Sequence, residues 1–441
     1  MASIAQKELF CWTDIEELGD LERLQLVFDT LPDEPLMRRL EYKRGGGRDD
    51  YPIRPTWNSL LASVVFQHAS IAALRRELRR NGQLRLLCGF PAAGGEQAVP
   101  SASAYTRFVA TLFEDEQNAA ELCRIFETLV ERCRSSLPGF GEKLGGDGKA
   151  ISSFAVGRGN KPGDRRGEHD ADWGRHEHHH SSADGTKSTV VKKWFGFTLH
   201  LLADTAYELP VNFKLTPASR NEMPVMHELI DSTAERYPEL IGQAQVFTGD
   251  RGLDDGKLVR KLWDEHGVKP VIDIRNLWND GEQTKLVPGS ENVVYDYAGT
   301  VSCVCPQTGR KRTMAYGGFE ADRATLKFRC PAAHYGFDCA GAGSCPIRQA
   351  TRIPLSVDRR VFTPVARSSY RWKQLYNGRT AVERINSRLD RSFGFELHTT
   401  RGLEKMRMRV ALACSVMLAM AVGRARQNEH RLMRSLVRRS A

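Results

Sequence analysis

The stretch from residue 143 to residue 274 constrains the fold more than any other part of the chain. Three strand-like segments come first, and a turn at Asp204 to Glu208 joins the last two. A long polar loop is predicted between the first and second, from Gly157 to Thr189. Helical and strand-like segments then alternate as far as Ile274. This order predicts an α/β fold with a mixed sheet flanked by helices.

The regions around this stretch predict further domains. Residues 1–140 have helical periodicity and predict an all-α N-terminal domain. Its short Arg-bearing helices are typical of helix-turn-helix DNA readers and equally of a plain bundle. Residues 276–367, with Gly, Pro and short β-like runs, predict a β-rich, cysteine-containing insertion. The α/β unit then comprises 141–275 and 368–425, and residues 426–441 form a basic tail.

Three acidic residues are placed where elements of the predicted sheet end or pack. Asp147 lies in or beside the first strand-like segment, and Asp250 follows the short apolar segment Ala244 to Thr248. Glu383 lies on a helical segment after the insertion. Side chains that follow neighbouring strands meet at one edge of an α/β sheet. We therefore expect these carboxylates to lie close together.

The helical segment from Tyr376 to Gly394 carries a row of polar side chains. With about 100° per residue, Tyr376, Arg379, Glu383 and Asp390 fall within roughly 60° of one another. Apolar residues collect on a different side, so one face can pack on a core. A salt-bridged surface helix has the same pattern, but the many nearby cations favour a face that binds phosphate beside a metal-binding glutamate. The cations that we predict to bind DNA are Lys373, Arg384 and Arg388.

The chain resembles the DDE transposases of bacterial insertion sequences, which have an RNase H-like core and a Tyr-x2-Arg-x3-Glu-x6-Lys signature. Tyr376, Arg379 and Glu383 match this signature at the required spacing. Asp147 in GGDGKAISS and Asp250 in FTGDRGLDD match the contexts of the family's first and second aspartates. The segments YPIRPTW and VPSASAYTRF also resemble the family's N-terminal domain, which binds the ends of the element.

The resemblance implies an RNase H-like catalytic core and a metal-dependent reaction. Asp147, Asp250 and Glu383 would hold two Mg²⁺ (or Mn²⁺) ions, and water would cleave a strand at the element's end. The freed 3′-hydroxyl would then attack target DNA. Tyr376 and Arg379 would position a phosphate of the transposon end. The implied partners are double-stranded DNA, as terminal inverted repeats and target, and a second copy of the chain in a synaptic homodimer.

Asp390 departs from the signature, which has Lys at this position. A carboxylate there removes a phosphate contact, and we expect Lys373, Arg401 or another chain to offset its charge. The departure keeps open a catalytically silent, transposase-derived DNA-binding protein. An RNase H-like nuclease without strand transfer is a further alternative, against which the Tyr376–Arg379 pair argues.

Five of the ten cysteines lie in the insertion, as C-x-C followed by C-x8-C-x5-C. None of these spacings is the paired C-x2-C of a zinc ribbon. Free thiols in a small β subdomain are therefore favoured over structural Zn²⁺. The cysteines are Cys303, Cys305, Cys330, Cys339 and Cys345, with His334 as an additional candidate ligand.

Two other features are weighed in the same way. The tract HEHHH at His176 to His180 suggests metal ligands, but its polar surroundings favour a loop over the active site. Trp278 and Trp372 are candidates for stacking on an extruded base, although a core or interface position is the more common outcome.

Composition limits the remaining classes. With 64 basic and 54 acidic residues, the net charge of +10 favours an anionic partner such as nucleic acid. The longest apolar run, Val410 to Val422, is too short to span a bilayer, so no membrane association is expected. Charged residues near the start argue against a signal peptide, and ten cysteines without one indicate a reducing compartment. We expect a cytoplasmic, nucleoid-associated bacterial protein.

Overall fold

The computed structural model describes residues 18–46, 52–113, 115–155, 167–181 and 187–433. Its N-terminal part is helical. Asn81 ends one helix and caps the next, because its side chain accepts a hydrogen bond from the Leu84 N–H at 2.9 Å. The helices are α1 (Glu22–Thr30), α2 (Glu34–Arg44), α3 (Ile53–Val65), α4 (Ile71–Arg80), α5 (Gly82–Cys88), α6 (Ala102–Phe113) and α7 (Glu116–Ser136).

A mixed sheet follows the N-terminal helices. Its strands are β1 (Lys143–Ser152), β2 (Asp172–Ser181), β3 (Lys187–Asp204), β4 (Leu209–Pro217), β5 (Val246–Gly249) and β6 (Lys269–Ile272). β4, β3 and β1 are antiparallel neighbours, whereas β1, β5 and β6 run parallel. The predicted mixed α/β architecture is therefore confirmed.

The predicted loop from Gly157 to Thr189 is wrong where the structure describes it. β2 lies inside this range and pairs with the first half of β3, from Asp172 opposite Gly196 to Ser181 opposite Lys187. The tract beginning at His176 is thus part of a strand. Most described side chains of this ribbon are exposed, so it lacks the apolar alternation that identifies a half-buried strand.

Helices connect the strands of the sheet. They are α8 (Glu222–Arg236), α9 (Pro238–Gln243) and α10 (Gly256–Arg260), the last continuing as a π-helical turn over Lys261–Glu265. α8 begins at a side-chain cap, in which Asn221 accepts from the Met223 N–H at 3.1 Å. Its apolar face, with Met226 and Leu229 buried, packs on β3 and β4. The cap therefore sets where the first turn of α8 stands relative to the sheet.

The region predicted as an insertion has its own hydrophobic core. It contains two antiparallel sheets, in the orders β10-β9-β8-β7 and β11-β12-β13. Val293, Phe328, Ile353 and Phe362 are buried in a cluster separate from that of the central sheet. The elements are β7 (Lys285–Leu286), β8 (Val293–Tyr295), β9 (Val301–Val304), β10 (Lys311–Thr313), β11 (Ala315–Glu320), β12 (Thr325–Arg329), α11 (Pro331–Tyr335) and β13 (Ala350–Pro354).

The segment predicted as one helix from Tyr376 to Gly394 contains a break. α12 (Tyr370–Tyr376) ends at a 3₁₀ turn over Asn377–Arg379, and α13 (Thr380–Phe393) follows. Gly394 terminates α13 in the left-handed region, at φ 62°. Tyr376 and Arg379 thus precede the helix that carries Glu383.

α14 (Leu403–Arg426) joins the N-terminal helices to the sheet. It packs against α7, α1 and α3 on one side and against β4 on another. As a result, the N-terminal helices and the central sheet share one continuous hydrophobic cluster rather than two cores separated at residue 140. α14 has the length and apolar composition of a membrane span, but most of it is buried in this core, as in a core helix. The last eight residues of the predicted basic tail lie outside the described residues.

Candidate active site

Asp147 and Asp250 are brought together by the parallel pairing of β1 and β5. Lys143 lies opposite Val246, Leu144 opposite Phe247 and Gly145 opposite Thr248, an offset of 103 residues in each pair. Continued by two residues, the same offset sets Asp147 opposite Asp250. The two carboxylates therefore lie at one level of neighbouring strands, at the edge where the carboxyl end of β5 is found.

Glu383 is placed beside them because α13 packs across β1. Val382 and Ile385 are buried under the helix, and a Cβ added to Gly145 would come within 2.9 Å of the Val382 side chain. One turn beyond Glu383, Asn386 Nδ2 donates a hydrogen bond to Asp147 Oδ2 at 3.0 Å. The side chain of Glu383 itself is half exposed, so this carboxylate is accessible to solvent.

The electrostatics of the cluster agree with this placement. Burial, followed by the charges of Asp250 and Glu383, raises the pKa of Asp147 to about 7. Glu222, in the first turn of α8, lies close to the same groups. Burial, followed by the charges of Asp250 and Asp147, raises the pKa of Glu222 to about 8. Each negative charge at this edge thus disfavours ionisation of the neighbouring carboxyl groups.

Arg379 and Tyr376 stand next to Glu383. Arg379 Nη1 bonds Glu383 Oε1 at 2.6 Å, and its guanidinium lies 5.5 Å from the centre of the Tyr376 ring. Tyr376 stacks on Trp372 with ring centroids 4.7 Å apart. Trp372 therefore has an aromatic partner within the protein, and Trp278 likewise packs edge-on against Tyr295 in the insertion.

The three cations predicted to bind DNA have different surroundings. Lys373 is exposed on α12. Arg384 and Arg388 both bond Glu208, with Arg384 Nε 2.7 Å from Oε1 and Arg388 Nη2 2.9 Å from Oε2. Glu208 is buried in the turn between β3 and β4, at φ 60°. The side chain of Arg388 is only 13% exposed, so its role in the structure is to anchor α13 to this turn, whereas that of Arg384 is half exposed.

Asp390 has a partner that the sequence did not indicate. Lys149 Nζ lies 2.5 Å from Asp390 Oδ2, and both side chains are largely buried, at 11% and 20% exposure. The prediction that Lys373 or Arg401 offsets the charge of Asp390 is wrong, because Lys149 is its partner. The guanidinium of Arg401 lies over the Phe154 ring instead. The cation therefore comes from β1, two residues beyond Asp147.

A cavity of about 610 Å³ opens over the carboxylates. Asp147, Asp250 and Glu222 line its acidic end. The β2–β3 ribbon contributes a mouth with aromatic and basic side chains, of which Trp173 is 63% exposed. Sequence patterns missed this mouth because β2 has no apolar period. The other aromatic and basic residues that line the cavity are Arg175, His176, Lys192, Trp194 and Arg220.

The oxygen donors at the acidic end fit a divalent cation. Glu222 Oε1 is buried and accepts no hydrogen bond from the described residues, whereas buried carboxylate oxygens normally have a partner. Clustered carboxylates are the hard ligands that Mg²⁺ and Mn²⁺ prefer. Within the described residues, no three His, Cys, Asp or Glu side chains already converge as a metal site, either here or among the insertion cysteines.

The insertion cysteines are free thiols in the structure. Burial and then the neighbouring Cys330 raise the pKa of Cys303. Asn292 Nδ2 lies 3.3 Å from Cys345 Sγ. The thiols are therefore near one another without forming a disulfide among the described cysteines.

Comparison with known proteins identifies the family. The transposase DDE domain model matches residues 165–419, a span that includes Asp250 and Glu383 and begins after Asp147. No curated protein matches the chain. Among solved structures, a cryo-EM structure of the piggyBac transposase synaptic complex with hairpin DNA has 9% sequence identity and a TM-score of 0.41, over 95% of this chain and 79% of that chain. Since the family model covers more than half of the 441 residues, the chain belongs to the DDE transposase family.

Proposed function

We propose that this transposase cleaves the ends of a bacterial insertion sequence and joins the 3′-OH to target DNA by two-metal-ion phosphoryl transfer. The observation that supports the proposal is the parallel register of β1 and β5, which, continued by two residues, sets Asp147 opposite Asp250. The hydrogen bond from Asn386 of α13 to Asp147 supports a position for Glu383 at the same edge. The strand order β4-β3-β1-β5-β6 supports an RNase H-like core. The proposed site of action is bacterial DNA in the cytoplasm.

Asp147, Asp250 and Glu383 would hold the two Mg²⁺ (or Mn²⁺) ions. Bound ions activate the attacking oxygen and stabilise the leaving oxygen during in-line displacement. The protein's contribution is to fix its oxygen ligands in advance: Asn386 orients Asp147, and Gly252 N–H donates to Asp250 Oδ1 at 2.7 Å. These hydrogen bonds hold each aspartate side chain in a fixed orientation.

Arg379, Tyr376, Lys373 and Arg384 are the proposed contacts to the DNA backbone. Arg379 presents a planar set of donors beside Glu383, which suits a phosphate next to the scissile one. Arg384 keeps half of its side chain exposed while bonding Glu208. Arg388 is removed from this set, because its guanidinium is buried against Glu208.

The proposed partners are the terminal inverted repeats, target DNA and a second copy of the chain. Cleavage and joining of two element ends require two active sites held together, which a homodimer supplies. Structural Zn²⁺ in the insertion is not needed for this function, since the insertion has a hydrophobic core of its own.

Cleavage and strand transfer on DNA that carries the inverted repeats flanking the gene test the proposal. Asp147→Asn, Asp250→Asn and Glu383→Gln should each abolish Mg²⁺-dependent cleavage and keep end binding within about threefold, because binding depends on phosphate contacts elsewhere. Glu396→Gln, an exposed carboxylate beyond α13, is the matched control and should cleave normally.

Two outcomes would replace the proposal. End binding by the unmodified chain without any cleavage would identify a silent DNA-binding protein. Cleavage without joined products, when pre-cleaved ends and target DNA are supplied, would identify a nuclease.

A further inference from the structure

Glu222 occupies a position that the three-carboxylate site does not explain. It begins α8 directly after the Asn221 cap, and it lines the same cavity as Asp147 and Asp250. The three residues come from different parts of the fold: Glu222 lies on α8, Asp147 on β1, and Asp250 directly after β5. The Asn221 cap fixes the position of the first turn of α8, and with it the position of Glu222 beside the cavity.

The carboxylate of Glu222 lies against the backbone beside both aspartates. A Cβ added to Gly148, the residue after Asp147, would lie 2.8 Å from Glu222 Oε1. A Cβ added to Gly252, two residues after Asp250, would lie 3.3 Å from Glu222 Oε2 and 2.9 Å from Asp250 Oδ1. Both glycines thus make room for one carboxylate, which is inserted between the two aspartate-bearing segments.

No cation of the described residues pairs with Glu222, whose charge is favoured only by a hydrogen bond to the backbone of Gly148. Glu222 Oε1 has no hydrogen-bond partner among the described residues. The described charges that act on it are those of Asp250 and Asp147, and both are negative. An unpaired buried carboxylate oxygen is unfavourable, and a bound cation would relieve that cost.

We propose that Glu222 is a fourth carboxylate ligand of the divalent-cation site, reaching from α8 to an ion shared with Asp147 and Asp250. The inference rests on the proposed function, because it extends the same site. Glu383 is half exposed and does not line the cavity that Glu222 shares with Asp147 and Asp250. Glu222 therefore supplies a carboxylate to the part of the cluster that faces this cavity.

Mn²⁺ binding to the full-length protein without DNA tests the assignment. Free Mn²⁺ is measured by electron paramagnetic resonance during titration, and the Mn²⁺-induced increase in Tm is recorded in parallel. Glu222→Gln preserves the shape of the side chain and should weaken the tighter Mn²⁺ site at least tenfold, with a correspondingly smaller increase in Tm. Glu235→Gln, an exposed glutamate on the same helix, should match the unmodified protein.

The metal-free Tm separates a ligand role from a folding role. Glu222→Gln should melt at or above the unmodified protein in EDTA, because an uncharged amide replaces a carboxyl group whose ionisation is disfavoured beside Asp250 and Asp147. A lower metal-free Tm, or unchanged Mn²⁺ affinity, would overturn the assignment of Glu222.

Asp147→Asn distinguishes this failure from failure of the proposed function. If Asp147→Asn loses Mn²⁺ and Glu222→Gln does not, the three-carboxylate site stands and only the fourth ligand is wrong. If neither variant nor the unmodified protein binds Mn²⁺, both the fourth ligand and the metal-dependent function are wrong.

Discussion

The charges of the Lys149–Asp390 ion pair can be exchanged by mutation, and the resulting change in the free energy of unfolding can be estimated. Both side chains are mostly buried, with Nζ and Oδ2 2.5 Å apart. Removing one partner of such a pair leaves an uncompensated charge and costs about 3–5 kcal/mol. Asp390→Lys, which restores the family signature, should therefore destabilise this chain, because it sets two ammonium groups against each other.

The size of the effect in Tm follows from the length of the chain. At about 2.1 cal/mol/K of unfolding entropy per residue, 441 residues give roughly 0.9 kcal/mol/K. A loss of about 3–5 kcal/mol then lowers Tm by about 3–5 °C. Lys149→Asp should show a similar loss, and the double variant Lys149→Asp with Asp390→Lys should recover at least half of the summed losses.

Differential scanning calorimetry of the four proteins completes a double-mutant cycle. Glu396→Lys makes the same change of charge at an exposed site and should shift Tm by less than about 1 °C. The reasoning is refuted if Asp390→Lys alone melts like the unmodified protein, or if the losses of the two single variants add in the double variant. Either result would show that the ion pair does not stabilise the packing of α13 on β1.

Three further predictions use other contacts. In EDTA, Tm should fall as pH rises from about 4 through 7, because burial and Asp250 raise the pKa of Asp147 to about 7. The stability contributed by its bound proton is fully present below the pKa of the unfolded state and is lost as pH rises through the pKa of the folded state. Asp147→Asn should flatten this part of the profile. Glu208→Gln leaves two arginines without their buried carboxylate and should cost about 3 kcal/mol in urea unfolding, and an unchanged midpoint would contradict the anchoring role. Trp173→Ala, at the exposed mouth of the cavity, should weaken binding of single-stranded DNA by about 1–3 kcal/mol without lowering Tm, whereas Trp173→Phe retains most of the affinity; equal affinity in all three proteins would remove the ribbon from the DNA path.

Local patterns predicted the core of the sheet well, because β3, β4 and β5 are apolar segments bounded by turns. They failed for β2, whose strand is held by pairing with β3 and not by a buried face. They also missed the break before α13, because helical periodicity continues through the 3₁₀ turn at Asn377–Arg379.

The candidate site was predictable only in part, because some of its contacts join residues that are far apart in the sequence. Asp147, Asp250 and Glu383 stand in recognisable sequence contexts, and their assignment remains a proposal. Lys149 and Asp390 are 241 residues apart, so no local pattern relates them. Glu222 resembles an ordinary acidic residue in the first turn of a helix, and only the close approach of Gly148 and Gly252 distinguishes it.

The position of α14 has a consequence for synthesis on the ribosome. α1, α3 and α7 bury apolar side chains against a helix that ends at Arg426, so they lack their packing partner while most of the chain is being made. At about 5–20 residues per second, translation from α7 to α14 takes roughly 15–60 s. During that interval the nascent chain exposes the apolar faces that α14 later covers. Glu383 also emerges near the end, so an interrupted translation product would have neither a closed core nor a complete set of carboxylates.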